Sequence, residues 1–485
     1  MMIFPWLALI GLIAAAIPSA IFLARRQDDS GFALIAVLTL AIASGALSLI
    51  LFWESVIGIS LTFNAVAFPY LVLMLPGIIV LFRTPPRFTR PHLNNRREGA
   101  ALLLILLIAG AVLFNAIYYP LYADDTLGIY RPAALPIFYE GRIDPLIGAE
   151  SLYRTYPILV PSLYALGYMA SGWENDYLAK LIPALLSLGC LPAVYLLAKR
   201  LSGRTAAGWI AALLLAITPA FGRWASSGYV DLPMAFFYLL AAYYALNLSQ
   251  QRTLHDARFA GVMIGLAVTT KNAALLGVPL LGAWLIFLLI QKRITLAHLL
   301  NSLAACALIG APWYIRNLIG AGFIMPATAW TDQAQRTIAN LLVFITRPEN
   351  FGVAGVIVTI ALVPLIVNLF RVRRATFTPA LLIAGFALPF FAAWWLFVSY
   401  DPRFLLLFLP LLIAYAADRI AALQFHPHAA RLIIPLAWVI TAAAAGYTIF
   451  RSVDYKDELL RDPLMTHEEK LVLVGRAIPP ESQSP

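Results

Sequence analysis

Six charged side chains stand out because of where they interrupt an apolar sequence. Asp124 and Asp125 are adjacent, directly after Tyr122-Ala123; Asp231 sits alone in Gly228-Tyr229-Val230-Asp231-Leu232-Pro233; and three cations, Lys271, Arg316 and Arg403, each close or interrupt an apolar stretch. A carboxylate at the mouth of an apolar cavity suits a general base or a cation ligand. Cations held beside it suit a leaving group that gains negative charge, a phosphate above all. Each residue also has a plain structural reading. Asp124-Asp125 fit a solvated Asx turn at a helix end, Asp231 an N-cap ahead of Pro233, and Lys271 a snorkelling lysine. Arg316 fits an interfacial anchor beside Trp313 and Tyr314, and Arg403 a loop partner of Asp401.

The elements that must position these residues follow from composition. The chain has 485 residues, of which 62% are hydrophobic and only 12% charged, against about 25% charged in a soluble domain. An ordinary soluble enzyme is excluded. A net charge of +10 could suggest nucleic acid, but the charges lie in short loops between apolar runs, where membrane orientation explains them and no nucleic-acid partner is expected. Cys190 and Cys306 lie inside apolar runs, with neither a loop disulfide nor zinc-ligand spacing. The histidines form no His-x-x-x-His pair, so no metal site is assigned. No phosphate-binding Gly-rich loop, dinucleotide motif or large soluble domain is present in the sequence, so a group-transfer enzyme of this kind takes its activated substrate from the membrane.

Apolar runs with charged stops predict an all-α polytopic membrane protein of about 14 transmembrane helices, with interfacial helices in its outer loops. The run at 259–270 is too short to cross alone and forms a hairpin with 272–290, broken near Lys271. The stretch Tyr156–Gly172 suits an interfacial helix. Were it a span, every later loop would invert, and Asp231 and Arg403 would leave the face that carries Asp124. The first run, with Arg25-Arg26 after it, is a retained span and not a cleavable signal. Placing those arginines inside puts most acids outside, and with them both termini. Three long segments then share the outer face: Ala123–Arg154, Gly320–Asn350 and Arg451–Pro485, the last a small surface helix ending in a disordered Pro/Ser tip.

The ordered set of motifs resembles the integral-membrane glycosyltransferases of the GT-C superfamily, in particular the family 39-like branch of protein O-mannosyltransferases and lipid A aminoarabinose transferases. It runs through Asp124-Asp125, the Tyr156-Pro157-Ile158-Leu159-Val160-Pro161 helix, Lys199-Arg200-Leu201-Ser202-Gly203-Arg204, Tyr229-Val230-Asp231-Leu232-Pro233, Thr270-Lys271, Pro312-Trp313-Tyr314-Ile315-Arg316-Asn317 and Arg403-Phe404. The resemblance implies transfer of a sugar from a polyprenyl-phosphate donor to a hydroxyl acceptor on the extracytoplasmic face of the plasma membrane. It implies Asp124 as base, Asp125 and Asp231 lining the cavity, and Lys271, Arg316 and Arg403 holding the lipid phosphate. Residues 1–98 form a three-span N-terminal extension, 99–450 the catalytic module and 451–485 an external tail; the extension or the tail either docks a protein partner or only lengthens the chain. Thr155 stands where the lipid A branch carries a Glu, so no cofactor is assigned, though a divalent cation is an open addition. Two rival classes are a transporter or flippase, which would spread its charges through the spans, and a non-catalytic subunit, whose acids would not share a site.

Overall fold

The computed structural model describes residues 3–25, 31–83, 95–144, 152–325, 333–372, 376–424 and 426–477. Arg26 and the expected disordered tip lie outside the described residues. In a bilayer each apolar run must satisfy its own backbone hydrogen bonds, and among the described residues every regular element is helical. The chain opens with α1 (Phe4–Ala24), α2 (Phe32–Val56), α3 (Phe63–Arg83) and α4 (Arg96–Tyr118). The shorter α5 (Arg131–Tyr139) and α6 (Leu159–Ser171) precede α7 (Asp176–Ser202). Next, α8 (Thr205–Ala216) and α9 (Pro219–Ala225) form one pass bent by 69°, since Pro219 cannot continue the ladder and Thr218 before it is extended. The bundle continues with α10 (Asp231–Gln251), α11 (Leu254–Thr270), α12 (Gly277–Ile290), α13 (Leu296–Ala321), α14 (Pro348–Leu369), α15 (Phe377–Ala393), α16 (Leu409–Ala421) and α17 (Pro427–Ser452). Two short helices, α18 (Lys456–Arg461) and α19 (His467–Leu473), make the tail.

Eleven helices are long and apolar enough to cross a membrane, twelve passes with the bent pair counted as one. This is a multi-pass membrane protein. Two shorter traversals follow from the contacts. Lys271, just after α11, pairs with Asp231 at the start of α10, so α11 returns to the end that α10 left. It is 17 residues long and begins at Leu254, about 26 Å of helix; the sequence-based limit of 259–270 was too short because Asp256 and Arg258 had been read as loop. Similarly, Arg403 lies at the Asp231 end while the carbonyl of Ala421 accepts from Arg204, which follows α7 at the opposite end. The 3₁₀ turn Pro402–Leu407 and α16 therefore make one descent.

At the centre stands α10, buried from Asp231 to Ser249. A helix apolar all round belongs in such a core. Against it pack α7 and α11, and α11 in turn lies very close to α13: a Cβ built on Gly261 would come within 2.0 Å of the Ser302 carbonyl. Only glycine allows that approach.

The three N-terminal spans lie against α6. Ser162 donates to Ser48 at 2.9 Å, and the backbone N–H groups of Leu61 and Ile143 bond to the Gly141 carbonyl and the Ser55 hydroxyl at 2.7 and 2.9 Å. The 13-residue α6 is too short to cross, as expected, yet it is buried from Leu159 to Tyr168 and does not float in the interface. The extension covers the face that would otherwise meet lipid.

A candidate active site at one end of the bundle

The chain reaches the site from four directions. Past α4, the segment Tyr119–Ala123 leads into a helical turn that starts at Asp124 and continues through a π-helical stretch, Thr126–Tyr130, into α5. Both acids thus sit in a first turn, where the helix dipole favours negative charge. Gly228 has φ +85° and its carbonyl accepts from the Tyr164 hydroxyl at 2.6 Å; a Cβ there would stand 2.5 Å from that oxygen. This glycine sets the path into Tyr229 and Asp231. The extended Lys271, between α11 and the 3₁₀ turn Asn272–Leu276, breaks the helix where the sequence placed the break. Asp401 caps the last element, accepting from the Arg403 N–H at 2.8 Å.

Arg403 is the hub. Its Nη2 lies 3.0 Å from Asp125, and its Nε lies 3.6 Å from Asp231 and 3.4 Å from Asp401. Lys271 forms an ion pair with the other oxygen of Asp231. The side chains of Asp231, Arg403 and Lys271 are 2%, 8% and 11% exposed, whereas Asp125 is 31% exposed. The site therefore opens on the Asp124-Asp125 side. Aromatic rings line it: Trp224 and Tyr229 stack at 5.3 Å, the Arg403 guanidinium sits 4.3 Å from the Tyr229 centroid, and Lys271 sits 4.4 Å from that of Phe404. Burial first, and then the Asp125 carboxylate, raise the Tyr229 phenol above its ordinary range. It stays a neutral hydroxyl, and it accepts from the Asp125 N–H at 3.3 Å. Arg403 Nε and Asp231 Oδ2, both buried, face each other as an ion pair without reaching hydrogen-bond geometry.

Of the six residues singled out, Asp125, Asp231, Lys271 and Arg403 come together, and Asp124 stands beside them, exposed. Asp231 does more than cap a helix: its carboxylate faces two cations. The expected Arg403–Asp401 pairing is present, as one of three. Arg316 is elsewhere. It donates to the carbonyls of Arg154 and Asp144, lies 4.5 Å from the Trp313 centroid and touches none of the other five, which is the anchor arrangement. Beside it, the Thr155 carbonyl accepts from Asn317 at 2.9 Å and Trp313 at 3.3 Å. Among the described residues no three His, Cys, Asp or Glu side chains gather to hold a metal ion.

Sequence reasoning missed a second polar cluster, directly beneath the Tyr119–Ala123 segment. The fully buried Lys180 donates to the carbonyls of Tyr119 at 2.9 Å and of Asn115 and Pro120 at 3.4 Å. Asn115 binds both the carboxylate and the N–H of Asp454, at 2.8 and 2.9 Å, and Tyr122 donates to the same carboxylate. Burial, followed by Asp454, raises the Tyr122 phenol, so this donor stays protonated. In the tail, Arg476 reaches the Leu121 carbonyl at 2.9 Å and pairs with Asp176. One signal was readable: Lys180 is a charge within an apolar run, which must find partners.

Known proteins resemble this chain in sequence and in fold. Residues 141–323 match the profile of the family described as dolichyl-phosphate-mannose-protein mannosyltransferase. The "Putative mannosyltransferase YkcB" of Bacillus subtilis (strain 168) is 29% identical over 233 residues, 45% of this chain and 31% of that protein. ArnT from Cupriavidus metallidurans bound to undecaprenyl phosphate superposes with a TM-score of 0.52 at 19% identity, over 70% of this chain and 63% of that one. Its apo state gives 0.51 at 19%, over 72% and 62%. The chain thus spans about a third of the length of its curated relative and under two thirds of ArnT. The fold is similar to that of ArnT, and residues 141–323 match a mannosyltransferase profile, so the chain resembles the integral-membrane glycosyltransferases in fold and in this stretch of sequence.

Proposed function

We propose that the protein transfers a sugar from a polyprenyl-phosphate donor to a hydroxyl acceptor at the extracytoplasmic face of the membrane. The observation that carries this reading is one buried guanidinium shared by carboxylates from three separate segments, with a second cation on the innermost of them. The Arg403–Lys271 pair sets two cations side by side for a phosphate, and Arg403 Nε holds its carboxylates only at 3.4 and 3.6 Å, short of hydrogen-bond geometry. The binding of undecaprenyl phosphate by ArnT supports a donor of this type.

In the reaction the acceptor oxygen attacks the anomeric carbon as the bond from that carbon to the phosphate oxygen breaks, with inversion. The acceptor proton passes to a carboxylate and the polyprenyl phosphate leaves as an anion. Asp125 is held by Arg403, whereas Asp124 is exposed and has no cation partner among the described residues, so Asp124 is the base. Negative charge grows on the phosphate as the bond breaks, and fixed cations then bind it more tightly than in the ground state. Asp231 holds the two cations in place. Arg316, on its separate carbonyl shelf, would meet the donor outside the reacting centre.

The test is transfer from a panel of radiolabelled polyprenyl-phosphate sugars in membranes, comparing wild type with Asp124→Asn at matched expression. Removal of a general base is expected to slow transfer by about 10²–10⁴-fold. Unchanged transfer moves the base to Asp125. No transfer from any donor by the folded wild type removes the glycosyltransferase reading.

A further inference from the structure

At the end of the bundle opposite Arg403 lies a cleft of about 350 Å³ lined by Leu246, Ser249 and Gln250 of α10, Phe287 of α12, the following Gln291 and Arg293, and Val372, Phe377, Thr378 and Pro379 at the start of α15. We propose that this cleft is a binding site for the head group of an anionic membrane phospholipid, in the leaflet opposite the one that faces the candidate active site.

Three observations carry the inference. First, the depth is right. From Asp231 to Ser249, α10 rises about 27 Å, close to the hydrocarbon thickness of about 30 Å. With Asp231 at one head-group level, the polar wall of the cleft lies at the other. Second, the chemistry is that of an anion with an apolar body. Among the described residues Arg293 is the cation of the wall, Gln250, Gln291, Ser249 and Thr378 supply neutral donors, and no carboxylate lines it. The remaining wall is apolar, and in the spans Asn272–Ile290 and Phe377–Val398 on either side, which contain α12 and α15, only 33% and 39% of the most apolar stretch is buried. Third, Arg293 has donor capacity to spare. Among the described residues its guanidinium makes one side-chain hydrogen bond, at 3.3 Å to the Thr378 hydroxyl, and no carboxylate pairs with it. A guanidinium has five N–H donors in a fork that matches a phosphate. The exposed Lys292 and Arg371 beside the cleft add positive potential.

The inference is independent of the reaction proposed above. Its test uses the purified full chain in lipid nanodiscs or detergent, with native mass spectrometry reading retained lipid after graded additions of phosphatidylglycerol and phosphatidylcholine. The expected result is preferential retention of phosphatidylglycerol, reduced about tenfold or more in Arg293→Gln and reduced less in Thr378→Val, with thermal unfolding in lipid-free detergent unchanged for both. Glycerol 3-phosphate, a soluble phosphate without the acyl chains, should bind far more weakly. Equal retention by wild type and Arg293→Gln overturns the site, equal retention of the two lipids overturns the charge assignment, and glycerol 3-phosphate binding as well as the lipid overturns the assignment to a lipid. Should Arg293→Gln fail to fold, Gln291→Ala with Gln250→Ala carries the same comparison.

Discussion

The geometry around Arg403 demands arginine and not just a positive charge. Its Nη2 serves Asp125 while its Nε faces Asp231 and Asp401, a span that a lysine ammonium cannot cover. Arg403→Lys is therefore expected to fold, because Lys271 still neutralises Asp231, and to lose about 10²-fold in transfer; a kcat near wild type in the donor-panel assay would reduce Arg403 to a structural role. A second expectation follows from the same cluster. Asp125 and Asp231 already face cations and, among the described residues, no three metal-ligand side chains meet, so transfer should persist after chelation by EDTA. Loss on chelation, restored by a divalent ion, would make Asp124-Asp125 a cation site. Much of this centre was legible, since Asp231, Lys271 and Arg403 are charges at the ends of apolar runs and such charges must find one another. Arg316 has the same local signature, yet it faces the carbonyls of Arg154 and Asp144. Spacing along one chain does not say which way a helix is rotated, and that rotation separates the two outcomes.

Among the elements, the Tyr119–Ala123 segment is the least self-supporting and the most consequential. It has no regular structure, and its carbonyls at Tyr119 and Pro120 are satisfied by Lys180 from α7. Replacing Lys180 by Met leaves three buried carbonyls without that donor, at about 1–3 kcal/mol for each one left unsatisfied. The expected outcome is a thermal unfolding midpoint well below wild type, together with weakened transfer through the displaced Asp124-Asp125 turn; an unchanged midpoint would mean that water replaces the ammonium. Helix lengths were the weaker part of the sequence reading. The start of α11 carries Asp256 and Arg258, which resembled a loop, but the Thr253 cap and the contact of Arg258 with Asn301 of α13 at 2.9 Å keep that turn helical. Packing partners settled what hydropathy could not.

For the whole molecule, the contacts impose an even number of crossings between every pair of segments that meet at the site. That is why α6 does not cross: Asp125 and Asp231 could not share Arg403 if it did. Single cysteines introduced at Glu140 and Asp457 should therefore be labelled from the same side of a sealed vesicle by an impermeant maleimide, and one at Arg204 from the other. The native Cys190 and Cys306, both buried, should stay silent. Labelling of 140 and 457 from opposite sides would break the topology. The overall class, the membrane setting and the order of the passes were all readable from apolar runs. What the runs left out was the route of the tail, because Asp454 and Arg476 lie in a polar stretch whose partners are more than 300 positions away in the chain.

That long return ties assembly to biosynthesis. A ribosome delivers Asp124 and Asp125 first, and Asp454 and Arg476 emerge more than 300 residues later. Until then Tyr122 and the Leu121 carbonyl wait for partners that do not yet exist. A nascent chain interrupted after α16 would already hold Arg403, Lys271 and the three acids that Arg403 joins, and would still lack the clasp that fixes the Asp124-Asp125 turn. The loop that opens the site is thus fixed only after its other members are in place, and chains that stop before the tail are left unset.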